Sequence, residues 1–307
     1  MHHVGVVFVI GGCLALTAAP ATWAQEPERS TPESTTVVIL GTASHPEPSA
    51  AGPATAVLVG SRIFLFDAGA GVERQLSAAG LKTNGVSAAF LTSLVIDHTL
   101  GYPDLLLNSW LNGRSEPLEV YGPPGTNAMT EHILAAYAED ISARTRRQIP
   151  SGEFLGKPPG SERASVHEVR GGLVYDKEGV RITAIRVPFW PHEYAFGYRI
   201  ETPQRTIMIS GGGVSGKAFE EAARGVDVLV HEVYASADIN AGARALVTFA
   251  QTSDSAVGAL AARAAPKLLI LTHIIPGPRA NQERLLANVV SGGFKGHTII
   301  AHDLMRF

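Results

Sequence analysis

The sequence predicts an α/β fold of four layers, two β-sheets packed face to face with helices on both outer sides, an αββα sandwich. Apolar runs rich in β-branched and aromatic residues recur through both halves and stop at a glycine or a polar residue. Many of them are followed by a segment with helical periodicity, and the second half repeats the strand-and-helix scheme of the first. With 307 residues, 45% of them hydrophobic, the chain has enough apolar surface for one large core. No short-period repeat competes with this reading.

The first element is not expected to belong to the fold. "VGVVFVIGGCLALTAAPATWA" is an uninterrupted apolar stretch ending in small residues, read as a signal peptide over residues 1–24. A short membrane anchor, or a lipoprotein with Cys13 as the lipidated residue, is the alternative. All three place the mature protein outside the cytoplasm, periplasmic or secreted. Residues 25–35, containing "EPERSTPEST", form a Pro/Ser/Glu spacer with nothing to bury. The folded domain is expected over residues 36–307, and no other apolar stretch is long enough to span a bilayer.

Within that domain "TTVVILG" and "RIFLFDAG" read as strands, and "GVERQLSAAGL" as a helix ending near Gly80. "VSAAFLTS" is a buried strand, "PDLLLNSWL" a helix started by Pro103, and "PLEVYGPPG" a strand broken by a Pro-Gly turn. "NAMTEHILAAYAEDI" reads as one amphipathic helix, followed by a polar segment, Thr145 to Arg163, expected to be a mobile loop. In the second half "GLVYDKEGVRITAIRV" is a hairpin turning near Lys177 to Gly179, and "AFGYRIET" with "RTIMISG" a second strand pair. "VSGKAFEEAARGVDVLVHE" and "TSDSAVGALAARAAPKLLILTH" each give a helix and a buried strand. Thr252 or Ser253 caps the latter helix and Pro266 ends it. "HTIIAHDLMRF" supplies a last strand.

Several of these strands end in residues that can bind a metal ion: Asp67, the pair Asp97-His98, the pair His231-Glu232, and His273. An Asp-His pair on a turn and a distant histidine can form a three-ligand N/N/O site for zinc or another divalent ion, with a position left for water. Each residue alone has a plainer role, an aspartate capping a turn or a histidine in a hydrogen bond. The composition narrows the chemistry further. Cys13 is the single cysteine, so neither an internal disulfide nor a thiolate zinc site can form, and a net charge of −3 gives no reason to expect non-specific binding of nucleic acid or anionic lipid.

The order of "VVILGTASHPEPSAAGPATAVLV", "RIFLFDAGAGVERQL", "AAFLTSLVIDHTLGYPDLLL", "LEVYGPPG", "AFGYRIE", "DVLVHEVY" and "LLILTHIIP" resembles the metallo-β-lactamase superfamily, in the branch of ribonuclease Z and the arylsulfatase-like hydrolases. "AAYAEDISARTRR" leans toward the arylsulfatase-like subgroup, and no separate tRNA-gripping arm is visible. The resemblance implies the αββα fold and a site for two metal ions. It uses a His-x-His-x-Asp-His motif, a histidine before the "AFGYR" strand, a bridging aspartate after "SG", and a final histidine. Carried over position by position, the chain departs from it. The motif reads Ser93-Leu94-Val95-Ile96-Asp97-His98, the third histidine's place is Phe189, and the bridging aspartate's place is Gly212. Gln251 stands for a histidine before the "TS" helix start. Asp97, His98 and His273 of the second metal's set are present, as is Glu232.

Two readings follow. In the first the protein is a hydrolase using one divalent metal ion, expected to be zinc, held by Asp97, His98 and His273. Asp97, Glu232 and His231 serve the chemistry, and His45 or His192 could complete the ligand set. Its substrate would be a small molecule with an ester-type bond: a sulfate ester, phosphodiester, carboxylic ester or lactone. In the second reading the former active-site cleft, made more apolar by Phe189, Trp190, Val95 and Gly211 to Gly213, binds a small molecule or a partner without catalysis, and no metal is required. Metal-free catalysis by Ser93, His98 and Asp97 is disfavoured because neighbours on a turn seldom orient each other. Neither reading calls for a nucleic-acid partner, or for a membrane beyond the N-terminal segment. Homodimer formation stays open.

Overall fold

The apolar runs close into two sheets in the computed structural model, which describes residues 1–2, 34–45, 48–146, 158, 160–277 and 280–307. The expected signal peptide, nearly all of the spacer and most of the expected mobile loop lie outside the described residues. The architecture below belongs to the unit Pro32–Phe307.

The first sheet runs in chain order, β1 (Thr35–Gly41), β2 (Ala54–Val59), β3 (Arg62–Phe66), β4 (Val86–Phe90), β5 (Leu118–Gly122) and β6 (Ala164–Glu168). The second contains β7 (Gly172–Lys177), β8 (Val180–Arg186), β9 (Phe196–Glu201), β10 (Thr206–Ile209), β11 (Val228–Tyr234), β12 (Leu268–Ile275) and β13 (His297–Ile300), again neighbour to neighbour. Each sheet starts antiparallel and turns parallel, the first at the β3–β4 pair and the second at β10–β11. The parallel strands are joined by helical crossovers, which is where the helices come from.

Alternation along the strands divides the apolar residues between faces. Val37, Ile39, Phe64, Phe66 and Phe90 of the first sheet meet Ile182, Phe196, Tyr198, Ile209 and Val230 of the second, forming the inner core. Leu40, Leu65 and Val120 face outward, against α1 (Val72–Ala78), the segment of α2 (Ile96–Thr99) leading into α3 (Tyr102–Leu111), and α4 (Thr126–Ala136) with α5 (Ala138–Thr145) beyond. On the other side Leu229, Leu269 and Leu271 are covered by α6 (Lys217–Ala223), α8 (Asp254–Ala264) and α9 (Gln282–Ser291). α7 (Ala241–Val247) sits between α6 and α8 in the chain. This is the expected αββα sandwich.

Two details differ from the sequence reading. "NAMTEHILAAYAEDI" is two helices, broken at Tyr137 (φ −108°, ψ 13°), because α5 buries no side chain that would hold it in line with α4. The sequence reading assigns no element to β2, β6, α7 or α9. Of the two expected capping residues it is Ser253 that caps α8, its hydroxyl accepting from the Ala256 N–H, while the Thr252 hydroxyl accepts from the Ser215 N–H. After β13 the chain turns back along β1, where the Ile39 N–H donates to Met305 and the Val37 N–H to Phe307. That return brings Asp303 to the loop after β1, where its carboxylate accepts from the Thr42 hydroxyl and the Ala51 N–H, each at 2.7 Å. Among the described residues no helix is long and apolar enough to cross a membrane.

Candidate metal centre

The two sheets deliver their polar strand ends to the same edge. β3 ends in Asp67, a non-glycine residue with φ 59°, a conformation that costs energy and recurs at functional sites. Its buried carboxylate accepts from the Thr92 N–H and hydroxyl, both at 2.8 Å, and from Nδ1–H of His98 at 2.9 Å. Fixing Nδ1 in this way leaves Nε2 of His98 as the atom free to coordinate.

Asp97 and His98 stand on α2, the single turn of helix that follows the buried β4 segment. His273 comes from the second sheet by a different device. β11 and β12 pair in register up to Glu232↔Thr272, and the ladder resumes at Val233↔Ile274, so His273 is one extra residue. Its φ of 47° completes a bulge that turns the imidazole out of the ladder and into the cleft. There its Nε2 lies 3.1 Å from Oδ2 of Asp97, and the two imidazole rings of His98 and His273 are 5.3 Å apart. Ligand atoms of Asp97, His98 and His273 fall within 4.8 Å of one another.

Behind them lies Glu232. Its Oε1 is 3.8 Å from His98 Nε2 and its Oε2 3.4 Å from His273 Nδ1. The Gln251 amide donates to Oε2 at 2.9 Å and lies equally close to His273 Nδ1. The electrostatics follow from this crowding. Burial works against charge on His98, but the carboxylates of Glu232 and Asp67 outweigh it and raise its pKa to about 10. Burial likewise opposes ionisation of Asp97, yet the hydrogen bond from His273 and the positive field of His98 hold it down at about 2.

His231 does not join this group. It precedes Glu232 on a strand and therefore points to the opposite face. Its Nε2 meets the Ser215 hydroxyl at 2.8 Å and its ring stands edge-on to Phe219 of α6. Burial drives its pKa down to about 4, so it is neutral. The expectation that His231 serves the chemistry is corrected on this geometry. Nor do the two loop histidines reach the cluster. His45 is exposed, bonded to the Ser44 hydroxyl at 3.1 Å. His192 is exposed on the outer side of the Phe189 ring, 5.1 Å from it. The Ser93 hydroxyl accepts from the Val95 N–H and makes no bond to His98, so no Ser-His-Asp array forms.

The donor set fits one divalent cation: a carboxylate oxygen and two imidazole nitrogens, with each imidazole backed by a buried carboxylate. Asp67, His98 and Glu232 also lie within 4.8 Å of one another, but Asp67 is already satisfied by Thr92 and His98 and acts as support. A second cation of the kind the resemblance implies does not fit. Ser93 and Val95 offer it no imidazole, and a Cβ at Gly212 would stand 2.9 Å from Cε1 of Phe189. The phenyl ring fills the space a carboxylate at 212 would need.

Comparison with known proteins agrees with the fold and the branch. A family model described as "Beta-lactamase superfamily domain" matches residues 62–274. A ribonuclease Z of Mycobacterium marinum is 34% identical over 277 residues, covering 88% of this chain and 97% of that protein. Among solved structures, the metallo-β-lactamase fold protein YhfI from Bacillus subtilis superimposes with a TM-score of 0.69 at 16% identity, over 89% of this chain and 98% of its own. Human tRNase Z, short form, gives 0.64 at 22% identity, over 89% and 98%. The ribonuclease Z relative speaks for the ribonuclease Z side of the expected branch, and nothing among these matches supports the arylsulfatase-like side. That relative's name denotes action on RNA, which runs in part against the expectation of a chain with no nucleic-acid partner.

Proposed function

We propose that this chain, which belongs to the β-lactamase superfamily and to its ribonuclease Z branch, is a hydrolase of phosphodiester bonds built around one divalent cation, with zinc as the ion. The observation that carries the reading is the convergence of Asp97, His98 and His273 from both sheets, with the bulge at His273 aiming the third ligand. When bound, the cation would polarise the phosphoryl oxygen and acidify a water molecule. The chain's own residues do the rest. Asp67 holds the His98 ring by its Nδ1–H, so that Nε2 faces the cleft. Glu232 takes the proton side of His273 through Nδ1 and, held by the Gln251 amide, keeps a negative charge beside both imidazoles. In this arrangement Glu232 is the group placed to hold a proton released at the site. The choice of phosphodiesters rests on the ribonuclease Z relatives. A periplasmic or secreted location rests on the N-terminal apolar run alone.

A second reading, a cleft that binds without turning over, is favoured by one observation, the Phe189 ring packed where a bridging carboxylate would stand. One experiment separates the two. Elemental analysis and hydrolysis of bis(4-nitrophenyl) phosphate are measured on the wild type and on His98→Ala. About one zinc or other transition metal per chain, lost with turnover in the variant, is the expected result. A wild type that takes up no metal after incubation with zinc and cleaves nothing would sink the hydrolase reading.

A further inference from the structure

Beside Asp97 the cleft opens into a hollow of about 530 Å³ that the metal ligands do not use. Its walls are the loop after β1 (Ala43, His45, Ala50), the turn into α1 with Arg74, and Ile96 and Leu100 on α2. Three features of it have no role in holding the fold. Ile96 and Leu100 are 71% and 57% exposed although both are large and apolar. They flank Asp97 four positions apart, on one side of the helical turn. Among the described residues Arg74 has neither an ion pair nor a hydrogen bond, and its guanidinium lies along Gly71 on the rim of the same hollow. An unspent cation and two uncovered aliphatic side chains around one ligand residue make a chemically specific combination.

The walls are also preformed. Asp303 pins the loop through the Thr42 hydroxyl and the Ala51 N–H. Gly52 and Gly69 let the backbones of that loop and of the turn into α1 pass so closely that a Cβ at Gly69 would meet the carbonyl carbon of Gly52 at 2.3 Å. Little ordering is left to be done when a ligand enters.

We propose that this hollow is a substrate-arm site, and that the substrate is a small anionic phosphodiester carrying one apolar alkyl or aryl arm. The arm covers Ile96 and Leu100, and Arg74 supplies the counter-charge to the anion. This deepens the hydrolase reading and rests on it for the identity of the bond. The binding claim does not need turnover.

The test uses non-hydrolysable probes, dimethylphosphinate, butyl(methyl)phosphinate and hexyl(methyl)phosphinate, whose two P–C bonds leave no ester to cleave and whose single varying chain is the arm, titrated into the full chain by calorimetry. Affinity is expected to rise about two- to fourfold per added methylene. Leu100→Ser and Ile96→Ser should flatten that dependence, and both sites are exposed, so folding is not at stake. Arg74→Gln should weaken all three probes about tenfold while leaving the chain-length slope intact. A slope present in the wild type and lost in Leu100→Ser supports the site even if no phosphodiester is cleaved, and in that case it is the hydrolase reading that fails. Equal affinities for the three phosphinates, or a slope untouched by both serine variants, overturn the proposal whatever the turnover. A single-stranded RNA that displaces the probes, and whose binding depends on Arg74 but not on Leu100, also overturns it, because the rim is then a nucleic-acid contact.

Discussion

Replacing Gly212 by alanine tests whether the Phe189 ring has taken over the place of a second ion. The added Cβ would stand 2.9 Å from Cε1 and 3.3 Å from Cζ of Phe189. Carbon atoms in ordinary contact sit about 3.5–4.0 Å apart, so the ring must give way by roughly half an ångström or more. Phe189 is half-buried and packs on the outer core of the second sheet, so its displacement forfeits contacts without tearing the core. Overpacking of this kind costs about 1–3 kcal/mol, which for a domain of this size is a loss of roughly 2–6 °C in melting temperature. The assay is thermal and urea unfolding of wild type, Gly212→Ala, Phe189→Ala and the double variant. With the ring removed, the alanine has room, so the double variant should be more stable than the sum of the single losses implies, by about 1 kcal/mol or more. Additive losses, or a Gly212→Ala protein as stable as wild type, would refute the idea that the two residues compete for one space.

The buried polar groups give three further expectations. His231 is held neutral, with its pKa depressed to about 4 against 6.5. The unfolded chain therefore binds a proton that the folded chain refuses between those values, and stability falls as the pH drops through that window, by about 2 kcal/mol between pH 6.5 and roughly 5. Denaturant titrations of His231→Gln should show a shallower loss over the same window, and an unchanged one would discount His231. His98 has its pKa raised to about 10, so its contribution is complete below 6.5 and disappears as the pH climbs toward 10. Since a metal ion must displace that proton, zinc binding near neutral pH should release about one proton per ion, which calorimetry in buffers of different ionisation enthalpy would count; no release would contradict the protonated His98. Asp67→Asn removes the charge that orients His98 and should weaken metal binding about 10- to 100-fold while costing roughly 3 kcal/mol of stability. A variant that binds zinc as wild type does would deny Asp67 its supporting role.

How far the site was legible depends on which kind of constraint placed each residue. Asp67 could be read from the chain because it closes an apolar strand run, and Asp97 and His98 because they stand on the turn that follows one; the end of a buried strand in such a sandwich has one destination, the sheet edge. Glu232 and His231 show the limit of that rule. Both close "VDVLVHE", but alternation sends adjacent side chains to opposite faces, so only one can enter the cleft; the pattern itself contained that exclusion. His273 has the reverse history. Strict alternation along "LLILTH" does not put it where it stands, because an extra residue in β12 resets the face, and the mismatch appears only when β11 and β12 are laid side by side. The two absences at Phe189 and Gly212 look independent in the sequence, 23 positions apart, and become one event in space, a ring seated on a glycine. The same holds for the hollow beside Asp97. Ile96 and Leu100 read as part of an apolar motif, and only the fold reveals that they stand exposed, without cover from the other described residues. What the sequence carries well is the direction of strands; what it hides is where two distant segments compete for, or leave open, the same few cubic ångströms. In this protein both outcomes lie at the metal cleft, one closing the place of a second ion and the other opening a space for the arm of a substrate.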